Sequence, residues 1–317
     1  MATARVYVGI DVSKHHLDVF VPAGKGKEKE MRVKNTPAAA RRLILGVRAR
    51  VPEAVFCCES TGGYENTLVE ACRTEDAPVC RMNARQARAY AVHQGLLEKT
   101  DRIDARMIAM SAADKKPEPL AHPTDGQRGM REMWTLRAAL AADRDRVRNR
   151  LEHLKEKESI RAAKLLLAGF DRQIGRLESL IRNAAGKEEA GKAILARAPL
   201  VKGVGPLTAL ALAALMPELL ILNDKELAKL AGLAPICADS GTKNAPRHIQ
   251  GGRGLARRAL YWAALSASRH NKTLSAVYSR LVGAGKARKV ALTAVMRKLL
   301  CVVRRLVQDP GFVPDPA

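Results

Sequence analysis

Apolar runs rich in β-formers punctuate the first quarter of the chain, and most of them stop at an acidic or turn residue. Val6–Ile10 stops at Asp11, Leu17–Val21 follows a polar turn, Ala54–Cys58 stops at Glu59, and Val79–Met82 stops at Asn83. A further strand is expected near Met31–Val33. Between these runs lie helix signals: Thr36-Pro37 opens an Ala/Arg/Leu segment, Tyr64–Cys72 reads as helix, and a third helix starts after Asn83. Strands alternating with helices imply an α/β domain with a mixed sheet.

After residue 120 the period changes. Pro117, Pro119 and Pro123 break the pattern, and Met133, Leu136, Leu140, Val147, Leu151 and Leu154 then follow a three-four spacing. Leu167, Phe170, Ile174, Leu177 and Ile181 repeat it. Such stripes form a coiled coil or a long αα-hairpin, packing within the chain or against a second copy; self-association is the preferred expectation. The expected organisation is an α/β domain over 1–120, a helical linker and oligomerisation segment over 121–192, a helical domain over 193–308 and an unstructured tail over 309–317.

Lys and Arg number 55 against 32 Asp and Glu, a formal charge of +23. That excess calls for a polyanionic partner, because each phosphate neutralised releases condensed counterions. The excess is uneven: no Asp or Glu occurs from Ser240 to Gln308, a stretch rich in Lys and Arg. Aromatic residues make up 3% of the chain, so stacking on rings is not expected to be the main mode of nucleic-acid contact. The six cysteines show no CxxC pair or zinc-finger spacing and read as thiols of a reducing compartment. With no leader and no uncharged apolar run of membrane length, a cytoplasmic location without membrane contact is expected.

Four carboxylates stand in suggestive places. Asp11 ends one strand and Glu59 another, and if the strands are neighbours both acids project from one sheet edge. Asp101 and Asp104, in Lys99-Thr100-Asp101-Arg102-Ile103-Asp104, share a helical face with Thr100 as a possible N-cap. Such a set suits a two-metal phosphoryl-transfer site, although each acid singly fits a turn or a helix start. His15 and His16 read as exposed turn residues.

The basic third carries a second group of motifs. Leu200-Val201-Lys202-Gly203-Val204-Gly205-Pro206 resembles a helix-hairpin-helix turn, whose backbone N–H groups approach a phosphate; a plain interhelical turn fits equally well. Asp239-Ser240-Gly241-Thr242-Lys243 contains either a nucleophilic serine or only a turn. Gly251-Gly252-Arg253-Gly254 then leads into Arg257-Arg258, where Arg253, Arg257 and Arg258 share the spacing of one helical face suited to clamping phosphates.

The Gly-Ile-Asp-Val-Ser-Lys, Glu-x-Thr-Gly-x-Tyr and Lys-Thr-Asp-x-x-Asp segments resemble, in order, those of the DEDD transposases of IS110-type insertion sequences, a family that includes Piv-type DNA invertases. The Gly-Leu-x-Pro, Ser-Gly and Gly-Gly-Arg segments resemble its C-terminal half. The resemblance implies a RuvC-like RNase H fold at the N-terminus and a helix-hairpin-helix element in the C-terminal domain. It assigns Asp11, Glu59, Asp101 and Asp104 to Mg²⁺ or Mn²⁺ in a two-metal site, and Ser240 to covalent attack on DNA. It further implies donor and target DNA, a structured guide RNA, and a homo-oligomer, dimer or tetramer, acting at the bacterial nucleoid. Lys14, Lys99, Arg102, Lys202, Gly203, Gly205, Lys243, Arg247, Arg253, Arg257 and Arg258 are the expected nucleic-acid contacts. Three other readings remain: a RuvC-like nuclease using water, a non-catalytic nucleic-acid-binding protein whose acids are structural, and a Piv-type invertase.

Overall fold

The computed structural model describes residues 5–23, 27–95, 101–120, 123–236, 248–309 and 311–314, excluding the side chains of 84–86 and 101–103. The chain forms two compact units, Met1–His122 and Pro123–Ala317.

In the first unit a five-stranded sheet is built from β1 (Val6–Val12), β2 (His16–Val21), β3 (Lys29–Lys34), β4 (Ala54–Glu59) and β5 (Val79–Met82). Its order is β3-β2-β1-β4-β5, with β1–β2 and β2–β3 antiparallel and β1–β4 and β4–β5 parallel. The hairpin joining β1 to β2 is closed by Ser13, whose backbone N–H donates to the His16 carbonyl at 2.9 Å. Two helices, α1 (Pro37–Arg48) and α2 (Asn66–Thr74), cover one face. Pro37 opens α1, and Ala40, Leu43, Ile44 and Val47 form its buried stripe. They close on Val8, Ile10, Val12, Phe56 and Cys58. On the opposite face lie α3 (Ala84–His93) and α4 (Asp101–Lys115); Ile108 and Ala112 of α4 meet Tyr7, Val55 and Cys57. Sheet residues of one parity face α1 and α2, those of the other face α4, as the two-residue period of a strand requires.

The second unit is almost wholly helical. Its α5 (Asp125–Leu151) and α6 (Lys157–Ala185) form an αα-hairpin. Thr124 and Gln127 make a reciprocal capping box at the start of α5, and the Glu156 carboxylate accepts from the Glu158 and Ser159 N–H groups at the start of α6. Arg137 reaches across to Glu178 at 2.8 Å. The expected stripes make this contact within the chain, except that Leu136 is exposed, as are Leu165, Leu166 and Leu180 on α6. Met130, Trp134, Ile181 and Ala185 share one apolar core with the helices that follow, so the hairpin and those helices are packed as one body.

Those helices are α7 (Glu189–Arg197), α8 (Pro206–Leu215), α9 (Asp224–Leu230), α10 (Gly254–His270), α11 (Lys272–Gly283) and α12 (Arg288–Gln308), with a two-strand ladder of β6 (Pro235–Ile236) and β7 (His248–Ile249). The apolar run from Val204 to Leu222 does not form one helix: Pro206 starts α8, and Pro217 opens a short 3-10 turn over Pro217–Leu220. Among the described residues no helix is long and apolar enough to cross a membrane.

Candidate active site

Parallel pairing of β1 with β4 runs in register to Ile10 and Cys58, so Asp11 and Glu59 are the next residue on each strand. Asp11 lies within β1 and Glu59 is the last residue of β4. Because Ile10 and Cys58 face α1 and α2, alternation puts both acids on the face that carries α4. Each is half-buried.

α4 reaches the same place because Gly9 lacks a side chain. A Cβ on Gly9 would lie 2.0 Å from the Ala105 carbonyl oxygen and 2.6 Å from the Ala109 nitrogen. The helix backbone therefore rests directly on the strand two residues before Asp11. Asp104, also half-buried, immediately precedes that crossing. Asp101 is the first residue of α4, its side chain outside the described set together with those of Lys99 and Arg102. Among the described residues no group of three or more His, Cys, Asp or Glu side chains stands at metal-holding distance. The donor type is nonetheless uniform: partly open carboxylates fit a hard divalent cation better than a soft one. His15 and His16 are exposed at the β1–β2 turn, as expected.

Three residues around these acids gave no signal in the sequence. Asp18 on β2 is the register partner of Asp11, and it is 4% exposed. Its two oxygens accept from Arg32 Nε at 2.8 Å and Nη2 at 3.0 Å, and Arg32 is in turn its register partner on β3. Glu65 is buried beneath the loop that follows Glu59. One of its oxygens accepts from the Thr61 N–H at 3.2 Å, the Thr61 hydroxyl at 3.0 Å and the Gly63 N–H at 2.8 Å. Burial alone would raise its pKa, but these donors outweigh it and hold the carboxyl below the usual carboxylate range. Asn35 donates from its side-chain amide to the Ser13 carbonyl at 2.9 Å and the Tyr64 carbonyl at 3.1 Å. It thereby ties the turn after Asp11 to the loop after Glu59.

In the second unit the Lys202-to-Gly205 segment is a tight turn between α7 and α8, closed by the Val204 N–H donating to the Val201 carbonyl at 2.9 Å. Gly203 has φ +106°, and a Cβ there would meet Ala267 Cα of α10 at 2.7 Å. That glycine is required by helix packing. Gly205 opens α8 with nothing near a would-be Cβ, and Lys202 beside it is exposed.

Ser240, with Lys243 and Arg247, lies outside the described residues. β6 and β7, which flank it in sequence, pair Pro235 with Ile249 and Ile236 with His248. Behind this ladder two glycine turns cross. A Cβ on Gly252 would meet the Gly232 nitrogen at 2.2 Å, and both glycines have positive φ. The arginines that follow behave differently from one another. Arg253 is occupied inside the protein: its guanidinium donates to both Glu218 oxygens at 2.6 Å and to the Leu215 carbonyl at 2.5 Å. Arg257 donates to the Gly251 carbonyl at 2.7 Å and the Ala231 carbonyl at 3.2 Å, pinning the glycine crossing. Arg258 is exposed. The expected phosphate clamp of three arginines thus divides into two that hold the fold and one that faces solvent.

The two groups of motifs fall in two family matches. The DEDD transposase model of IS110 type matches residues 8–156, and the model of the transposase IS116/IS110/IS902 family matches residues 198–279. The pilin gene-inverting proteins of Moraxella bovis and Moraxella lacunata are each 26% identical to the chain, over 96% of its length and 97% of theirs. Two solved structures of Thermus thermophilus RuvC, one in complex with a Holliday junction substrate, align over 36% of this chain and 99% of theirs. Their identities are 18% and 20%, with a TM-score of 0.27. Between them the two models take in both the acidic and the basic motifs, and the chain belongs to the IS110-type transposase family of DNA transposases and recombinases.

Proposed function

We propose that the chain cuts and rejoins DNA strands through a composite site made of the acids of the first unit and Ser240 of the second. The observation that carries this reading is the meeting of Asp11, Glu59 and the start of α4 on one sheet face, enforced by the Gly9 contact. Asp11, Glu59, Asp101 and Asp104 would hold Mg²⁺ or Mn²⁺ on a sheet with the strand order of an RNase H-like fold. Bound there, the metal would offset the charge that develops on phosphate oxygens.

In this scheme the Ser240 Oγ forms a bond to phosphorus while the bond to the deoxyribose oxygen breaks. The serine proton is balanced by the hydroxyl released on the other DNA end. The reverse step rejoins strands, so a phosphoserine conserves the energy of the broken phosphodiester. Arg258 and Lys202, both exposed, and the Gly205 turn at the start of α8 would grip backbone without reading bases. Lys14, Lys99, Arg102, Lys243 and Arg247 would extend that grip, and Gly203 would support it from behind. Sequence choice falls to a structured guide RNA, and strand exchange to a homo-oligomer that uses the exposed leucines of the α5–α6 hairpin.

The test is a strand-cleavage assay with labelled DNA, Mg²⁺ and co-purified RNA, quenched in denaturant. Wild-type chain should carry a covalent DNA adduct that Ser240→Ala removes, and Asp11→Ala should lose cleavage while still binding DNA. Cleavage by Ser240→Ala without an adduct would transfer the reading to a nuclease using water.

The full-length likeness to the pilin gene-inverting proteins favours a second outcome with the same chemistry, inversion of a segment. A plasmid with two sites in opposed orientation distinguishes them: inversion conserves plasmid length, whereas transposition does not.

A further inference from the structure

Trp262 on α10 is 62% exposed. The chain has two tryptophans, and the other, Trp134, is 5% exposed in the core of the second unit. An indole is costly to leave in water, and Tyr261 braces this one edge-on, ring centroids 5.7 Å apart and planes at 80°. It therefore offers a held aromatic surface to solvent.

Its neighbours say what that surface suits. Arg258 stands one turn before Trp262 on the same helical stripe and Arg269 two turns after, both exposed. No acidic residue occurs from Ser240 to Gln308. A protein interface centred on an aromatic is usually depleted of charge, and a second copy of a chain with a +23 formal charge would bring like charge to this stripe. A nucleobase has a π-face for the indole, and its flanking phosphates suit the arginines. Bases within a duplex are already stacked on each other, so the ligand has to be unpaired.

We propose that Trp262, between Arg258 and Arg269, is a stacking platform for an unpaired stretch of nucleic acid. This rests on the reading of the chain as a nucleic-acid recombinase and names a contact that the reading leaves unspecified. Unpaired RNA and an unpaired DNA strand share this chemistry.

With Trp134 buried, Trp262 is a native fluorescent probe. The full chain is titrated at fixed salt with three probes: a single-stranded DNA oligonucleotide, the RNA of the same sequence, and the DNA duplex. Both single strands should quench the emission more than the duplex. Trp262→Ala should weaken single-strand binding roughly tenfold, more than it weakens duplex binding, and Trp262→Phe should retain part of the loss, with an unchanged salt slope. The tighter of the RNA and DNA arms names the source. Because the side chain is exposed, the melting temperature should not move.

Equal single-strand affinity in wild type and Trp262→Ala overturns the proposal. So does a fall in oligomer mass on sedimentation of Trp262→Ala, which assigns the indole to a contact between copies. In either case duplex binding and cleavage by the wild type leave the recombinase reading standing. Failure of the wild type to bind any of the three probes overturns both.

Discussion

Asp18 of β2 lies directly across the antiparallel ladder from Asp11 of β1, and its carboxylate is fully engaged by Arg32. Directly opposed residues have Cα atoms about 5 Å apart, so two carboxylates in this register would repel without a neutralising partner. Arg32 supplies one, half-exposed on the β3 side. Asp18→Asn removes the negative charge and leaves the arginine beside Asp11. Even at the dielectric of bulk water that amounts to about 1 kcal/mol, roughly a fivefold higher Mg²⁺ requirement for half-maximal cleavage. Arg32→Met has the opposite sign for Mg²⁺ and lowers the melting temperature, because Asp18 is then buried without its partner. Cleavage measured across a Mg²⁺ series, beside thermal melts, checks both.

Gly9→Ala should abolish cleavage. The added methyl meets backbone of α4, not a flexible side chain, so the helix carrying Asp104 must move away from Asp11. We expect a loss of about 2 kcal/mol or more in stability and cleavage below detection, measured on DNA binding-competent protein. Gly46→Ala in α1 is the contrast: nothing lies within 4 Å of its would-be Cβ, and the change should stabilise by about 0.5 to 1 kcal/mol.

Glu65 gives the first unit an acid-sensitive element. Its folded-state pKa lies below the unfolded value, so its contribution is fully present above the ordinary glutamate range and is lost as pH falls through the folded value. Melting temperatures from pH 6 downward should therefore begin to fall below about pH 4.5. Glu65→Gln should flatten that part of the curve. Glu65→Ala should cost about 1 to 3 kcal/mol at neutral pH, because the Thr61 and Gly63 donors lose their acceptor.

Arg253 and Arg258, five residues apart, should separate stability from binding. Arg253→Ala removes the bidentate pair with Glu218 and should lower the melting temperature of the second unit, as should Glu218→Gln. Arg258→Ala should leave melting unchanged and reduce the salt slope of DNA binding by about 1. The same slope change in Arg253→Ala, without loss of stability, would contradict the division of roles.

The strands and helix starts of the first unit, and the places of Asp11 and Glu59 on β1 and β4, were legible because each is written locally, in apolar runs, a Pro after Thr36 and an acid after an apolar run. Asp18 was not, since a charged residue inside a strand reads as solvent-facing until register sets it opposite Asp11. Glu65 follows the Glu59–Tyr64 motif immediately, yet its role depends on a loop folding back over it. The internal pairing of Arg253 was not legible because Glu218, its partner, is far away in sequence. Trp262 was hidden in a low aromatic content, which says nothing about where the few rings sit.

The ladder of β6 and β7 sets a leash on the serine. Ser240 is four residues beyond Ile236 in sequence, and four residues of chain span at most about 14 Å. The glycine crossing behind the ladder holds the anchor itself. On the proposed reading, a phosphate attacked by Ser240 would have to be delivered inside that radius. Each residue inserted between Ile236 and Ser240 would lengthen that reach by about 3.5 Å, so a graded series of insertions turns chain length into a dial for the proposed attack.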